Sequence, residues 1–134
     1  MQKVKTNPQS IKIVGRVTYG NGLGRVLGFP TANIDPCEPL VGVSDGVWAG
    51  SVRVAEREYV AVVNVGYSPS VVEGGAHRVE AHIVGFEGDL YGATLTLTLC
   101  HHLRSERRFA SREALVEQIG RDRDEAVALM KEQQ

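Results

Sequence analysis

The stretch of residues 77–99 reads HRVEAHIVGFEGDLYGATLTLTL and decides the class of fold. Its first part alternates between apolar and polar side chains, with apolar ones at Val79, Ala81 and Ile83. Its last six residues alternate threonine with leucine in the same way. A period of two residues is typical of strands that turn one face to a core. Because glycines and no helical pattern separate these strands, the stretch predicts a barrel or a sandwich.

Further β-type runs precede this stretch, at Ile11–Val17, Val47–Val54 and Tyr59–Val65. The last of them is almost continuously apolar, which favours a strand that is buried on both faces. The pattern becomes helical only after Phe109. We therefore predict an all-β fold, a six-stranded antiparallel Greek-key-type barrel with a C-terminal helical segment packed on its flank.

Two helices are expected in this C-terminal segment. Ser111 can cap the first helix, which carries Leu115 and Ile119 on one face. Asp122 followed by Glu125 has the spacing of a capping box, so we predict that a second helix begins there.

Composition limits the classes of function. The chain has 134 residues and a formal net charge of −1, which gives no general attraction to nucleic acid or to an anionic membrane. Its two cysteines form neither a metal-binding pattern nor a disulfide framework. Residues 1–10 lack the apolar run of a secretory signal, and we expect a disordered lead there, a barrel domain over residues 11–134, and a cytoplasmic location.

Residues 15–33 read GRVTYGNGLGRVLGFPTAN, with five glycines among the first fourteen positions. Such a loop can bring backbone N–H groups close to a ligand. It has neither the Gly-Lys-Ser/Thr of a Walker A loop nor the Gly-x-Gly-x-x-Gly of a dinucleotide-binding fold. Taken alone, a flexible hairpin is the better explanation of such a loop.

The polar residues around Pro30 suggest chemistry. In an extended segment Thr31 and Asn33 project to the same side, and two neutral oxygen ligands suit Mg²⁺ together with substrate phosphates. The alternative is that both side chains only bond to turn backbone. Glu80, on the outer face of its strand, could accept a proton from an alcohol or could be an ordinary exposed carboxylate. His82 shares that face and supports Glu80, serves packing or is simply exposed to solvent. The histidine pair at 101–102 is interpreted as structural.

Together these residues resemble the riboflavin kinase family. The resemblance covers about residues 11–128. The motifs that carry it are Gly15-x-Val17, Gly20, Gly24-Arg25, Leu27-Gly28-Phe29-Pro30-Thr31-Ala32-Asn33, Asn64-Val65-Gly66, Glu80-Ala81-His82-Ile83, Asp89-Leu90-Tyr91-Gly92 and Leu103-Arg104-x-Glu106-x-x-Phe109. The chain departs from the family at Pro69-Ser70-Val71, where the family usually has Pro-Thr-Phe.

The resemblance implies transfer of the γ-phosphate of ATP to the 5′-hydroxyl of riboflavin, with ADP and FMN as products. It implies that Glu80 is the catalytic base and that Thr31 and Asn33 hold Mg²⁺ or another divalent cation. The nucleotide-binding positions that it implies are Gly20, Gly22, Gly24, Arg25, Gly28, Thr31, Ile83 and Tyr91. The flavin-binding positions that it implies are Arg104, Glu106, Arg107 and Phe109.

Three alternatives stay open from the sequence. A barrel that binds flavin or nucleotide without catalysis is disfavoured by the intact Thr31, Asn33 and Glu80. A barrel that binds oligonucleotides is disfavoured by the net charge and by the 6% aromatic content. The third alternative is the same reaction with another nucleotide such as CTP.

The expected partners are small-molecule substrates, with no nucleic acid or membrane, and we expect FMN but no FAD as product. A monomer and a module of a longer chain with an adenylyltransferase domain both remain open.

Overall fold

The computed structural model describes residues 10–18, 28–68 and 76–132 of the chain. This part of the chain forms six strands followed by one helix. They are β1 (Ile11–Thr18), β2 (Ala32–Pro36), β3 (Gly46–Val54), β4 (Arg57–Ser68), β5 (Ala76–Ile83), β6 (Thr94–Arg104) and α1 (Arg112–Glu132). The disordered lead predicted for residues 1–10 lies, except for its last residue, outside the described residues.

The six strands close into an antiparallel barrel in the order β1-β2-β5-β4-β3-β6. Strands β3, β4 and β5 are neighbours in both sequence and space, and β6 returns to lie beside β3. Three consecutive strands with a fourth that returns beside the first make a Greek key, so the predicted fold class is confirmed.

The barrel is filled by side chains from alternate positions of its strands. On β5 the interior residues are Val79, Ala81 and Ile83, which are at most 7% exposed. On β6 they are the three leucines of the threonine–leucine alternation, which are at most 5% exposed. The two-residue period therefore separates the core from the outer wall, as the sequence predicts.

A second, smaller core lies between helix α1 and the outer wall of the barrel. Ala126 and Met130 of the helix are buried there against Ala49 and Cys100, with Val60, Val62 and Leu103 packed around them. This second layer explains why β4 is apolar on both faces, since one face fills the barrel and part of the other faces the helix. Cys100 is buried while Cys37 is exposed, and neither is in a disulfide.

The C-terminal segment corrects one prediction. The Ser111 hydroxyl accepts a hydrogen bond from the Ala114 backbone N–H at 3.0 Å, which confirms the predicted cap. The second helix predicted to begin at Asp122 is wrong, because α1 continues through that position without a break. The Asp122 carboxylate binds Arg104 and Gln118 instead of capping backbone N–H groups. Within the described residues, no helix combines the length and apolarity required to cross a bilayer.

Candidate active site

Three polar residues form a row across the outer wall of the barrel. Glu80 of β5 lies directly opposite Asn33 of β2 on one side and Asn64 of β4 on the other. Directly opposed residues share a face of the sheet, with Cβ atoms about 4.5–5.5 Å apart. The Glu80 side chain is 31% exposed, so solvent and substrates can reach its carboxylate. Glu80 is therefore an outward-facing acid held between two amides on rigid strands.

A cavity of about 370 Å³ opens beside this row, at the end of the barrel where β1 and β5 finish and β2 begins. Its volume is in the range typical of small-molecule sites. Its wall is formed by Val17, Thr18, Pro30, Thr31, Ala32, Asn33, Ala81, Ile83, Phe86, Gly88, Asp89, Leu90 and Tyr91. Asn33 belongs both to this wall and to the row that contains Glu80. A ligand that contacts Asn33 in the cavity would consequently lie close to the Glu80 carboxylate.

Several residues predicted to contact nucleotide line this cavity. Thr31, Ile83 and Tyr91 all do so, and the Tyr91 side chain is exposed while its backbone N–H donates to Asp89 Oδ1 at 2.9 Å. Gly28 precedes the cavity with a φ of 91°, a conformation that favours glycine. The predictions for Gly20, Gly22, Gly24 and Arg25 concern positions outside the described residues, as does the departure at 69–71.

The segment before Thr31 is fastened to the barrel by side chains. His82 Nδ1 lies 2.8 Å from the Pro30 carbonyl oxygen, and its ring meets that of Phe29 edge to face with centroids 5.6 Å apart. Phe29 is only 9% exposed, and the Arg123 guanidinium of α1 lies over its ring at 5.4 Å. His82, whose role the sequence left open, thus contacts the Pro30 segment.

The other flank of the Glu80 row contains charged residues. Arg78 of β5 lies 3.8 Å from the Glu80 carboxylate. A Cβ atom at Gly66 would lie 3.2 Å from both carboxylate oxygens of Glu106 and 3.3 Å from Arg78 Nη2. Glu106 and Arg78 therefore converge over Gly66, next to Glu80. Neither Arg78 nor Asn64 was assigned a role from the sequence. The two-residue period of β5 could have included Arg78, whereas only the pairing of β4 with β5 brings Asn64 opposite Glu80.

The remaining residues predicted at the flavin site lie at the end of β6 or after it, since Arg104 is the last residue of that strand. Arg104 donates from Nε and Nη2 to the Asp122 carboxylate, with the shortest distance 2.8 Å, and its side chain is 21% exposed. The Phe109 ring lies beneath the guanidinium groups of Arg104 and Arg107, at 5.7 and 4.7 Å. Glu106 and Arg107 are exposed. Arg104 thus ties the segment after β6 to the helix, and its role toward flavin stays a prediction.

The residues present fit a cation that is shared with a phosphate group. Thr31 and Asn33 both line the cavity and offer neutral oxygen atoms. Among the residues that the structure describes, no group of three or more His, Cys, Asp or Glu could hold a metal ion. Mg²⁺ typically takes few protein ligands and completes its shell with water and phosphate oxygens. The donor set is therefore suited to a metal–nucleotide complex rather than to a metal bound by protein alone.

Comparison with known proteins assigns the family. A family model described as flavokinase, riboflavin kinase, matches residues 7–130. The bifunctional riboflavin kinase/FMN adenylyltransferase of Pseudomonas fluorescens is 41% identical over 118 residues, which are 88% of this chain and 38% of that protein. The RNA-binding riboflavin kinase of Bacillus subtilis is 36% identical over 110 residues, 82% of this chain and 47% of that protein. The chain thus spans less than half the length of these curated relatives.

Solved structures agree on the fold. A Streptococcus pneumoniae chain described as a macrolide-efflux protein superposes with a TM-score of 0.79 at 30% identity, over 86% of this chain and 38% of that one. Riboflavin kinase from Trypanosoma brucei superposes with a TM-score of 0.63 at 24% identity, over 92% of this chain and 81% of that one. Because the family model matches residues 7–130 of this chain, the chain belongs to the flavokinase family, the riboflavin kinases.

Proposed function

We propose that the chain is an ATP:riboflavin 5′-phosphotransferase that produces FMN and ADP. The observation that carries this proposal is the double position of Asn33, which lines the cavity and lies directly opposite Glu80. Transfer of a phosphoryl group to an alcohol requires a bound phosphoryl donor and a general base. Asn33 lies between the cavity that would hold the donor and the carboxylate that would be the base. Family membership and the relatives' names support riboflavin as the acceptor.

In the proposed reaction, the ATP phosphates lie at Thr31 and Asn33 within the cavity. When bound there, Mg²⁺ would neutralise charge on the phosphate oxygens. The nucleotide base would lie toward Tyr91, whose exposed side chain lines the cavity. Phosphoryl transfer asks a protein mainly for alignment and electrostatic stabilisation, which suits a site built on rigid strands.

Glu80 would take the proton from the riboflavin 5′-hydroxyl as its oxygen bonds to the γ-phosphorus and the bond from that phosphorus to ADP breaks. The flavin ring would lie on the other flank of Glu80, over Gly66 and beside Glu106 and Phe109. This arrangement puts acceptor and donor on opposite sides of the Glu80–Asn33 pair, so that they meet in line.

Product analysis tests the proposal directly. The purified chain is incubated with riboflavin, ATP and MgCl₂, and flavins and nucleotides are separated by chromatography. We expect FMN and ADP in equal amounts, and no reaction when EDTA is present. Parallel reactions with CTP and GTP establish the nucleotide preference.

Riboflavin binding without FMN formation would contradict this proposal and would instead indicate a non-catalytic flavin-binding barrel. Quenching of riboflavin fluorescence by the chain measures that binding independently of turnover. Residual activity with EDTA would remove the metal from the mechanism.

A further inference from the structure

We propose that His82 is a positioning residue for the phosphate side of the active site. Its imidazole holds the Pro30–Thr31 peptide, which precedes the β2–β5 ladder, and thereby sets where the Thr31 hydroxyl lies in the cavity. This inference deepens the proposed function and depends on it for the identity of the nucleotide.

The hydrogen bond between His82 and Pro30 has a defined direction. A carbonyl oxygen only accepts, so Nδ1 of His82 must carry the proton that it donates over 2.8 Å to the Pro30 oxygen. The bond joins residues 52 positions apart in the chain. The hydrogen bond lies just outside the backbone ladder between β2 and β5, because the pairing of these strands begins only at Ala32. The side chain of His82 thus continues the attachment of this segment to β5 beyond the last backbone pair.

Phe29 restrains the His82 ring on its other side. The two rings lie edge to face with an interplanar angle of 83°. Phe29 in turn contacts α1, where Arg123 lies over its ring and a Cβ at Gly120 would be 3.9 Å from Phe29 Cζ. With one nitrogen bonded and the ring in contact with a buried aromatic, His82 has a single preferred orientation.

The location of His82 gives this restraint a functional consequence. It is two residues from Glu80 on the same strand and the same face of the barrel wall. The base and the support of the cavity segment therefore belong to one rigid strand. A misplacement of about 1 Å in a reacting group can reduce the reaction rate about a hundredfold. Fixed distances between Thr31, Asn33 and Glu80 would therefore preserve the rate of the proposed reaction.

Three substitutions separate the hydrogen bond from the packing. His82→Phe keeps an aromatic ring against Phe29 and removes the donor. His82→Asn keeps an amide N–H near the position of Nδ1, whereas His82→Gln moves it outward by one bond. His102 provides a matched control, since its Nε2 lies 3.0 Å from the Asp45 carbonyl oxygen and its ring meets Trp48 edge to face. His102 is not part of the cavity wall.

The measurement is the affinity of the chain for ADP by titration calorimetry, with and without MgCl₂, together with urea unfolding. We expect His82→Phe and His82→Gln to weaken MgADP binding about tenfold, with a smaller change for ADP without metal. His82→Asn should restore most of the affinity. His102→Phe should lower the urea midpoint at unchanged MgADP affinity, as expected for a purely structural histidine.

Unchanged MgADP affinity in His82→Gln, or the same loss in His82→Asn as in His82→Gln, would overturn the inference. The comparison of the two amides holds even if His82→Phe does not fold. Failure of the unmodified chain to form FMN would overturn the proposed function, whereas FMN formation by that chain with unaffected His82 variants would overturn this inference alone.

Discussion

Asn33 of β2 and Glu80 of β5 lie directly opposite each other in the barrel wall, and only Asn33 of this pair also lines the cavity. The relationship is set by backbone pairing rather than by a loop. Residues that pair across a sheet keep their separation as long as the ladder is intact. The distance between the proposed metal ligand and the proposed general base is therefore a property of the fold, and the two proposed roles can be tested by changing one side chain at a time.

Replacement of the base should abolish most of the turnover. We expect Glu80→Gln to lower kcat about a hundredfold or more, because general-base help is typically worth about two to four powers of ten. Stability should change little, since the side chain is part of the outer wall and is 31% exposed. Glu58→Gln is the control, as Glu58 is an exposed strand glutamate that pairs with Arg53 at the far end of β3–β4. A kcat of Glu80→Gln near that of the control would remove Glu80 from the mechanism.

The two asparagines that flank Glu80 allow a matched comparison of metal binding. Both Asn33→Asp and Asn64→Asp add one negative charge directly opposite Glu80. Only Asn33 faces the cavity, so only Asn33→Asp should shift the midpoint of the Mg²⁺ titration, as expected when a ligand oxygen gains charge. The measurement is initial rate against Mg²⁺ at fixed ATP. Equal shifts in the two variants would indicate a general charge effect and would argue against ligation by Asn33.

Gly66 offers a test of the flavin side. An alanine there places its Cβ 3.2 Å from both Glu106 carboxylate oxygens and 3.3 Å from Arg78 Nη2, so both side chains have to shift by a few tenths of an ångström. If Glu106 contacts flavin, Gly66→Ala should raise the KM for riboflavin about tenfold, the usual effect of losing one charge-assisted hydrogen bond. The KM for ATP should stay the same, because Gly66 is not in the cavity wall.

Glu106→Gln should act in the same direction as Gly66→Ala with the shape of the side chain retained. Steady-state kinetics with each substrate varied in turn distinguish the two KM values. An unchanged KM for riboflavin in both variants would show that Glu106 lies away from the bound flavin.

The pair of Arg104 and Asp122 should be the most costly ion pair to break. The Asp122 side chain is 4% exposed, and the pair is bidentate with a shortest distance of 2.8 Å. Removing one partner of such a pair leaves a poorly solvated charge, so we expect Asp122→Asn to lower the free energy of unfolding by about 3 kcal/mol. Urea unfolding measures this change.

The control for that experiment is the exposed pair of Arg121 and Glu117 on the same helix, whose side chains are 62% and 69% exposed. Glu117→Gln should change stability by no more than about 0.5 kcal/mol. A loss in Asp122→Asn as small as that of the control would mean that solvent compensates for the missing carboxylate.

The barrel was predictable from the sequence because its walls have a simple period. Inward and outward positions of β5 and β6 are separated by alternation alone. The apolar run of β4 correctly indicates that part of its outer face is covered as well, although Asn64 on that face is exposed. The break in the helix at Asp122 was predicted wrongly for a physical reason. Locally, Asp122 and Glu125 match a capping box, whereas the guanidinium that occupies Asp122 comes from Arg104 on another element.

In the candidate active site, too, local sequence patterns identify some residues and miss those that depend on contacts between distant parts of the chain. Thr31, Asn33 and Glu80 were found through their residue types and a family resemblance. The contact of His82 with Pro30 joins positions that lie far apart in the chain, and no local pattern reports such a contact. Asn64 becomes part of the candidate site only through the strand order, which puts β4 and β2 on either side of β5, whereas Arg78 shares β5 with Glu80.

Closure of the barrel leaves every strand with two neighbours, so none of the six offers a free edge. The polar row of Asn33, Glu80 and Asn64 lies on the outer face of the barrel sheet, and the hydrophobic core lies against the inner face. For protein engineering this means that Asn64 and Arg78, the outward-facing neighbours of Glu80, can be randomised together without introducing a polar group into the interior. A library at these two positions would sample acceptor specificity while Glu80, Asn33 and the core composition stay constant.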